Sequence, residues 1–331
     1  MLAAVITRPG GPEVLELQQR PIPEPGAEEV LVRVRASALN RADLLQREGR
    51  YPAPPGLPPD IPGLEFAGEV AALGRSVASH AVGDRVFGLV GGGAHAEYLV
   101  THERAIAPVP ATLDWREAGA VPEAFITAHD ALVQAALRPG DRVLVHAAAS
   151  GVGLAAIQLA RAFGAIPFGT TRTPEKLGPA RELGLEDGVA LTDGLEPLDA
   201  AVRRWTDGRG MDVVLDLVGG PYVAAGVAAL ALRGRLVLIG SMAGRRAELD
   251  VGAVMSRRLT VRGTVLRSRP IEEKILATAA FAREVVPWLA SGVVRATVDS
   301  VYLLDQVAEA HRRLAGNATV GKVVLDLSGS P

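Results

Sequence analysis

The segment from Arg142 to Gly164 constrains the fold of this chain more than any other. It reads RVLVHAAASGVG and continues as LAAIQLARAFG, so a β-branched run stops at small residues, turns, and continues as a helix. Small residues let the backbone approach a pyrophosphate, whose charge then lies at the helix N-terminus. We therefore predict a strand–turn–helix phosphate cradle formed by Ser150, Gly151, Val152 and Gly153. Close helix–strand packing is the alternative reason for small residues here.

Composition narrows the range of functions. The chain has 331 residues, of which 48% are hydrophobic, and a formal net charge of −2. A charge near zero argues against nucleic acid or an anionic membrane as the main partner. There is no cysteine, which excludes disulfides, thiolate zinc ligands and cysteine nucleophiles. The N-terminus lacks the pattern of a signal peptide, so we expect a soluble, cytoplasmic protein.

The pattern of expected secondary structure changes near residue 120. Residues 1–120 contain short alternating runs such as Val30–Arg35, separated by Gly and Pro, which is typical of a small β-barrel; one short helix is expected over 40–48. Residues 121–264 alternate strand-like and helical stretches and predict a doubly wound parallel sheet. A helix over about 271–291 opens the segment 265–331, which we expect to return to the first domain. The expected strands of the middle segment are 142–147, 165–170, 187–191, 212–217 and 234–240, and its expected helices are 123–136, 151–163, 173–183, 196–206 and 220–231.

The end of the second strand of that sheet indicates which nicotinamide cofactor binds. An acidic residue about 20 residues past the glycines binds the free ribose hydroxyls of NAD, whereas cations and hydroxyls accept the 2′-phosphate of NADP. Here no carboxylate ends the strand, and Thr171, Arg172, Thr173 and Lys176 offer two hydroxyls and two positive charges. We therefore predict NADPH. The alternative is a solvated helix start, with Thr173 as N-cap and Pro174 in the first turn.

Two further turns follow strands of the same sheet. Leu217 to Gly220 contains Gly219, and Leu238 to Met242 contains Gly240 and Ser241. Parallel sheets bind ligands at the carboxyl ends of their strands, so we expect Gly219, Gly240 and Ser241 to contact the cofactor. The other interpretation is that these residues only form the turns between strands and helices.

Together these residues resemble a known family. Over essentially its whole length the chain resembles the zinc-free quinone oxidoreductases (zeta-crystallin-like) of the medium-chain dehydrogenase/reductase superfamily, and within them the stress-inducible subgroup. The resemblance implies a GroES-like barrel joined to a Rossmann domain, NADPH-dependent reduction without metal, and a homodimer or homotetramer. The phrases that carry it are Gly10–Glu13, Ser37–Asp43, Gln46–Tyr51, Pro62–Glu65, Val121–Ala124, Ser150–Gly153, Ala156–Leu159 and Leu266–Arg269.

The sequence also bears on a catalytic zinc. Zinc-dependent relatives carry Gly-His-Glu and a cysteine ligand, whereas this chain has Leu64 between Gly63 and Glu65 and no cysteine. A catalytic zinc needs about three protein ligands. The pair His95 and Glu97 comes nearest to ligand spacing, and on an alternating strand we expect it to face solvent. We predict no metal, and interpret Glu65 as a buried structural ion pair, with a pocket carboxylate as the alternative.

The resemblance assigns further site residues. It implies that Asn40 and Tyr51 hydrogen-bond a quinone oxygen as that oxygen gains charge, with Ser150 beneath the nicotinamide. It also implies that Thr127 faces the nicotinamide and that Leu266 contacts the carboxamide. Tyr51 has an alternative role as a packing anchor, and Thr127 as a core hydroxyl bonded to its own helix.

Other residues receive structural interpretations or depart from the family. Asp43 is expected to cap its helix or to pair with Arg47, while Arg267 and Arg269 are interpreted as surface charges. In two places the chain departs from the family: Thr192 stands where many relatives place an adenosine-stacking tyrosine, and Asn317 where some carry a phosphate-binding arginine. Both departures leave more of the phosphate binding to Arg172 and Lys176. Asn317 is still expected to contact the cofactor.

Three functions follow from these residues. The leading hypothesis is transfer of hydride from NADPH to a small-molecule quinone, which requires little more than positioning and stabilisation of the developing charge. The second is reduction of the carbon–carbon double bond of enones or alkenals on the same fold. The third is a non-catalytic, crystallin-like NADPH-binding protein.

Overall fold

The computed structural model describes residues 1–329, so the last two residues of the expected 265–331 segment lie outside the described part. The chain folds into two compact units: residues 1–126 with 266–329, and residues 127–265. The strands are β1 (Leu2–Ile6), β2 (Leu15–Gln19), β3 (Glu29–Ala38), β4 (Glu65–Leu73), β5 (Arg85–Leu89), β6 (Tyr98–His102), β7 (Ile106–Pro108), β8 (Arg142–Val145), β9 (Ile166–Thr171), β10 (Asp187–Ala190), β11 (Met211–Asp216), β12 (Leu230–Leu238), β13 (Thr260–Gly263), β14 (Val298–Leu303) and β15 (Lys322–Asp326). The α-helices are α1 (Arg41–Arg47), α2 (Trp115–Gly119), α3 (Pro122–Gln134), α4 (Gly151–Ala162), α5 (Leu177–Glu182), α6 (Glu196–Thr206), α7 (Pro221–Ala229), α8 (Val251–Ser256), α9 (Ile271–Glu284), α10 (Val286–Ser291) and α11 (Val307–Ala315).

The first unit, which we call the barrel unit, is built on a seven-stranded sheet. Its order is β14-β15-β3-β4-β5-β7, with β6 paired to β3, and a separate ribbon joins β1 to β2. The alternation in β3 buries Val30, Val32 and Val34 against Phe66 of β4. The C-terminal strand β15 pairs antiparallel with β3, with Leu325 opposite Ser37. This pairing brings the end of the chain to the first strands of the same sheet.

The second unit, which we call the nucleotide unit, has a six-stranded parallel sheet. Its order, β10-β9-β8-β11-β12-β13, reverses direction between β8 and β11, as in dinucleotide-binding folds. Leu144, Phe168, Val214 and Leu236 form its core, one from each of the four central strands. The predicted fold class, a GroES-like domain with a doubly wound parallel sheet, is confirmed.

Local differences from the expected elements have physical causes. The expected helix over 271–291 is two helices, because Pro287 in the first turn of α10 has no N–H to donate. The expected helix over 173–183 begins as a 3₁₀ turn at Pro174–Lys176, and Pro179 supplies no N–H to Glu175. Helix α2 was missed, although Asp114 and Glu117 form a capping box there.

In residues 1–329 no helix combines the length and the apolar character that crossing a membrane requires.

Candidate active site

The segments predicted to bind the cofactor meet at one edge of the nucleotide-unit sheet. The amide of Ala148 after β8 donates to Thr170 of β9 at 2.8 Å, and that of His146 donates to Leu215 of β11 at 3.0 Å. After β12, the amide of Gly240 donates to Asp216 at 3.2 Å. The turns after β8, β9, β11 and β12 therefore lie at one carboxyl-terminal edge.

The turn after β8 has the strand–turn–helix geometry of the predicted cradle. Ser150 is the N-cap of α4, and its Oγ accepts from the amide of Gly153 at 3.1 Å. A Cβ at Gly153 would lie 2.4 Å from the carbonyl oxygen of Ala147, so a side chain there would displace backbone. The first N–H groups of a helix have no intrahelical acceptor, which leaves the partly exposed Gly151 and Val152 to face a ligand. The cradle fits a dinucleotide pyrophosphate.

The glycine turns after β11 and β12 pack against each other. Gly219 has φ +73°, and a Cβ on it would lie 2.7 Å from Cα of Ser241. A Cβ on Gly240 would lie 2.3 Å from the carbonyl oxygen of Leu217. Asp216 accepts from the amides of Val218 and Gly219, each at 2.8 Å. Mutual packing thus explains both glycines and leaves a narrow backbone surface at this edge of the sheet.

The end of β9 carries cations and no carboxylate. Arg172 is exposed and Lys176 is half-buried. The hydroxyl of Thr171 donates to the carbonyl oxygen of Thr173 at 2.8 Å and is buried, so its one proton is used within the turn. Thr173 precedes the 3₁₀ turn without a side-chain cap. Arg172 and Lys176 are thus the two cationic side chains of this turn.

Three polar side chains at this edge were not given a role by the sequence. His146 is fully buried, its Nδ1 lies 3.0 Å from Oγ1 of Thr170, and its ring meets Tyr222 edge-on at 4.9 Å. Burial lowers the pKa of His146 to about 3. Burial raises the pKa of Tyr222, and the charge of Arg172 opposes that shift. Tyr222, at the start of α7, therefore lies within electrostatic range of Arg172.

In the barrel unit, Glu65 is the centre of a buried polar network. It is 0% exposed, and its carboxylate lies 2.6 Å from Nζ of Lys322. It also accepts from Nδ2 of Asn40 at 2.9 Å and from the amide of Glu123 at 2.7 Å. Burial raises the pKa of Glu65, while the ammonium of Lys322 and these donors oppose the shift. The contacts agree with the structural ion pair and not with a free pocket carboxylate.

Asn40 and Asp43 tie helix α1 to this network. The Nδ2 of Asn40 also donates to the carbonyl of Ala38 at 3.3 Å, and its Oδ1 accepts from Lys322 at 2.5 Å. Asp43 accepts from the amide of Asn40 at 2.7 Å and from that of Gly63 at 2.9 Å. Asp43 thus caps α1, the first of its two expected roles. Both ends of the Asn40 amide are occupied by protein groups.

Arg267, interpreted from the sequence as a surface charge, is buried, and that interpretation is wrong. It is 7% exposed and donates to the carbonyls of Gly91 at 2.8 Å and Tyr51 at 3.1 Å, and to Gln46. Its guanidinium lies 4.6 Å from the centre of the Tyr51 ring. No local pattern distinguishes it from Arg269, because its partners come from distant segments.

The Tyr51 side chain presents a free hydroxyl. Among the described residues nothing hydrogen-bonds this hydroxyl, while Arg267 covers the ring face. Burial raises the pKa of Tyr51 against the opposing charge of Arg267, so the phenol is protonated at neutral pH. It is a donor available to a ligand oxygen.

The remaining candidates fall into both units. Leu266 is buried in the barrel unit beside Arg267. Asn317, with φ +58°, follows α11 and accepts a hydrogen bond from Arg41. Thr127 is buried on α3 in the nucleotide unit. The cofactor contacts expected of Leu266, Asn317 and Thr127 stay predictions.

The residues present do not fit a catalytic zinc. Leu64 is apolar and 2% exposed, and the neighbouring Glu65 is paired with Lys322. His95, expected to face solvent, is 0% exposed, so that expectation is wrong. Its ring meets the buried His311 edge-on at 6.2 Å. Across residues 1–329 no group of three histidines or carboxylates has the arrangement to hold a metal ion.

Two family models match the chain. Residues 26–111 match the alcohol dehydrogenase GroES-like domain, and residues 151–282 match the zinc-binding dehydrogenase model. The first lies in the barrel unit, and the second begins at the phosphate cradle. Both agree with the fold described above.

Individual relatives match over nearly the whole chain. A quinone oxidoreductase of Pseudomonas aeruginosa is 37% identical over 96% of both chains. The structure of an Escherichia coli quinone oxidoreductase complexed with NADPH has a TM-score of 0.87 at 29% identity, covering 98% of this chain and all of that one. A structure titled as an NAD-dependent alcohol dehydrogenase has a TM-score of 0.86 at 34% identity, covering 99% of this chain and 100% of that one. With its GroES-like domain, its parallel dinucleotide sheet and this identity, the chain belongs to the quinone oxidoreductase family of the medium-chain dehydrogenase/reductases and is an oxidoreductase that uses a nicotinamide cofactor.

Proposed function

We propose that this protein is an NADPH-dependent, metal-free reductase that transfers hydride to a quinone. The observation that carries the proposal is the Tyr51 hydroxyl, a protonated donor that has no partner among residues 1–329 and whose ring lies under the guanidinium of Arg267. A quinone oxygen gains negative charge when its ring accepts hydride, and a fixed donor and a nearby cation stabilise that charge.

The nucleotide unit would hold the cofactor. Gly151, Val152 and the narrow turns at Gly219, Gly240 and Ser241 offer backbone to the pyrophosphate. Arg172 and Lys176 would bind the 2′-phosphate, since no carboxylate at the end of β9 competes for the ribose. When bound, NADPH supplies the hydride, and the quinone takes it with one proton to become a hydroquinone.

The barrel unit supplies orientation and charge stabilisation rather than a metal. Tyr51 would donate its hydrogen bond to the acceptor oxygen. Asn40 would act on the acceptor only indirectly, because its side-chain amide is hydrogen-bonded to Glu65 and Lys322 and holds them in place. Leu64 and the paired Glu65 leave no ligand set for a Lewis-acidic metal, and a quinone accepts hydride without one.

The test is the rate of NADPH oxidation with an ortho-quinone, a para-quinone and a simple enone, each repeated with NADH. The proposal predicts the highest kcat/KM for a quinone with NADPH. In Tyr51→Phe, we expect kcat to fall about tenfold or more because the oxyanion loses a donor. Turnover confined to the enone would establish the alkene reductase instead. Tight NADPH binding without turnover of any acceptor would establish the non-catalytic protein.

We also propose that the protein forms a homodimer or homotetramer through the edge strand β13. Its residues Thr260, Arg262 and Gly263 are exposed, so the outer side of the strand offers unpaired backbone groups to a second copy. Light scattering on a sizing column tests this proposal. A proline at Val261, which removes an N–H from the strand, should raise the monomer fraction, whereas a monomeric parent protein would refute it.

A further inference from the structure

Arg267 joins three separate segments of the barrel unit. Its Nε donates to the carbonyl oxygen of Gly91 at 2.8 Å, its Nη1 donates to that of Tyr51 at 3.1 Å, and its Nη2 donates to the side chain of Gln46. The residue is 7% exposed, so these bonds replace the water that would otherwise solvate a guanidinium. All three acceptors are neutral oxygens. The arginine therefore forms a cross-link between segments that are distant in sequence.

The same guanidinium covers one face of the Tyr51 ring. Its central carbon lies 4.6 Å from the ring centre, which is close enough for a cation–π contact. Because the carbonyl oxygen of Tyr51 accepts a hydrogen bond from the same side chain, one residue holds both the main chain and the ring. A lysine has no planar fork that can stack on a ring and donate in several directions at once. The two contacts together thus depend on an arginine.

The chain around Tyr51 can form few backbone hydrogen bonds of its own. The amide of Tyr51 donates to the carbonyl oxygen of Leu45 at 3.2 Å. The segment that follows, residues 52–59, contains five prolines, which have no N–H to donate. The contacts of Arg267 are therefore a large part of what fixes Tyr51 in place.

We propose that Arg267 is a positioning residue for the hydride transfer: it fixes the main chain and the ring of Tyr51, so that the hydroxyl stays directed at the acceptor oxygen. This inference rests on the proposed function, which makes Tyr51 the donor to that oxygen. A donor displaced by about 1 Å loses much of its effect on the transition state. Loosening the contacts of Arg267 therefore lowers kcat through Tyr51.

The experiment is a double-mutant cycle on kcat for NADPH oxidation with an ortho-quinone. Arg267→Lys keeps the positive charge and removes the planar fork, so it tests position rather than charge. With Tyr51 present, we expect kcat to fall about tenfold and the KM for NADPH to stay within about twofold. In Tyr51→Phe no hydroxyl is left to position, so adding Arg267→Lys should lower kcat by less than about twofold. An equal fall in both backgrounds, or an unchanged kcat in the single variant, would overturn the inference.

A milder variant and a matched control accompany the cycle. Gln46→Met removes one acceptor of Arg267, and we expect a fall in kcat of about threefold that also disappears in Tyr51→Phe. This second cycle decides the matter if Arg267→Lys does not fold. Arg47→Lys is the control, because Arg47 is 4% exposed in the same unit and donates to the carbonyl oxygen of Gly10 at 3.0 Å. Its effect on kcat should be the same with and without the Tyr51 hydroxyl.

The control also has an outcome that contradicts the inference. If the effect of Arg47→Lys on kcat also disappeared in Tyr51→Phe, general loosening of the barrel unit would explain both cycles. Arg267 would then have no particular relation to Tyr51, and the inference would be overturned.

A measurement without turnover separates this inference from the proposed function. The chain has four tyrosines, so labelling with 3-fluorotyrosine gives four fluorine resonances, and Tyr51→Phe identifies the one from Tyr51. In Arg267→Lys that resonance should move toward the position of free 3-fluorotyrosine, while the other three stay in place. A displaced Tyr51 resonance in a protein that turns over no quinone would support this inference and refute the reductase. A Tyr51 resonance that does not move would overturn the inference, whatever the activity.

Discussion

The cofactor edge of the nucleotide unit and the polar network of the barrel unit are built in opposite ways. At the cofactor edge the decisive features are glycines and backbone groups within short segments, such as Ser150 to Gly153. In the barrel unit they are side chains joined over long stretches of sequence: Arg267 and Gln46 are 221 residues apart, and Lys322 and Asn40 are 282 apart. A site built from backbone groups works only if no side chain fills the space beside them. A network of buried charges is stable only if each charged group keeps its hydrogen-bonding or ionic partner. The two regions should therefore respond differently to substitution.

The largest effect is expected where a side chain would enter the cradle. In Gly153→Val the new Cβ would meet the carbonyl oxygen of Ala147 at 2.4 Å, so α4 must move away from β8. We expect NADPH affinity to fall at least about a hundredfold, because the helix N-terminus no longer faces the pyrophosphate. Fluorescence titration with NADPH measures this. The control is Gly178→Ala on α5, where a Cβ meets nothing within 4 Å and affinity should not change.

Substitutions in the polar network of the barrel unit should lower the free energy of unfolding rather than the affinity for the cofactor. Lys322→Met leaves the Glu65 carboxylate buried without its cation, which costs about 3–5 kcal/mol of unfolding free energy. Urea denaturation measures the loss. Adding Glu65→Gln to Lys322→Met removes the unpaired charge and should recover at least half of it. A single variant as stable as the parent protein would show that the pair does not hold the network.

The cations after β9 provide a smaller effect that separates the two cofactors. Arg172→Ala combined with Lys176→Ala should raise the KM for NADPH about tenfold, because two partly exposed charge pairs with the 2′-phosphate are lost. The KM for NADH, which has no such phosphate, should stay within about twofold. Steady-state kinetics with each cofactor distinguishes the outcomes. Equal changes for both cofactors would contradict the assignment of these cations to the phosphate.

A further expected effect is a pH dependence of stability from His146. Its folded pKa of about 3 lies below the ordinary histidine pKa of 6.5, so only the unfolded state takes up a proton between these values. Its contribution is fully present above pH 6.5 and is lost as the pH falls toward 3, at up to about 1.4 kcal/mol per pH unit. His146→Asn should flatten the fall in unfolding free energy between pH 6 and pH 4. Identical slopes in both proteins would refute this role.

The predictions for the cofactor edge rest on short-range patterns in the sequence. Each of these patterns involves residues that are close in sequence. They are the run of small residues before Gly153, the absence of a carboxylate after β9 and the alternation of strands and helices. The fold class follows from them. These patterns did not single out Tyr222, which follows the end of β11, a different strand from β9, which Arg172 follows.

The barrel unit could be predicted only in outline. Asp43 as a cap and Glu65 as a buried pair followed from local spacing and from the resemblance, but the partner Lys322 did not. In the sequence Arg267 looks like an ordinary surface cation, because its partners Gly91, Tyr51 and Gln46 lie far from it in the chain. Residues whose environment is assembled from distant segments carry no local signal of their role.

The central claim is tested most directly by a single-turnover reaction with an ortho-quinone in protein treated with a strong chelator. Absorbance follows the loss of NADPH and the formation of hydroquinone at the same time. The account predicts that the two occur together, one hydroquinone for each NADPH, at a rate unchanged by the chelator. Loss of the reaction on chelation, with recovery on adding zinc, would contradict it.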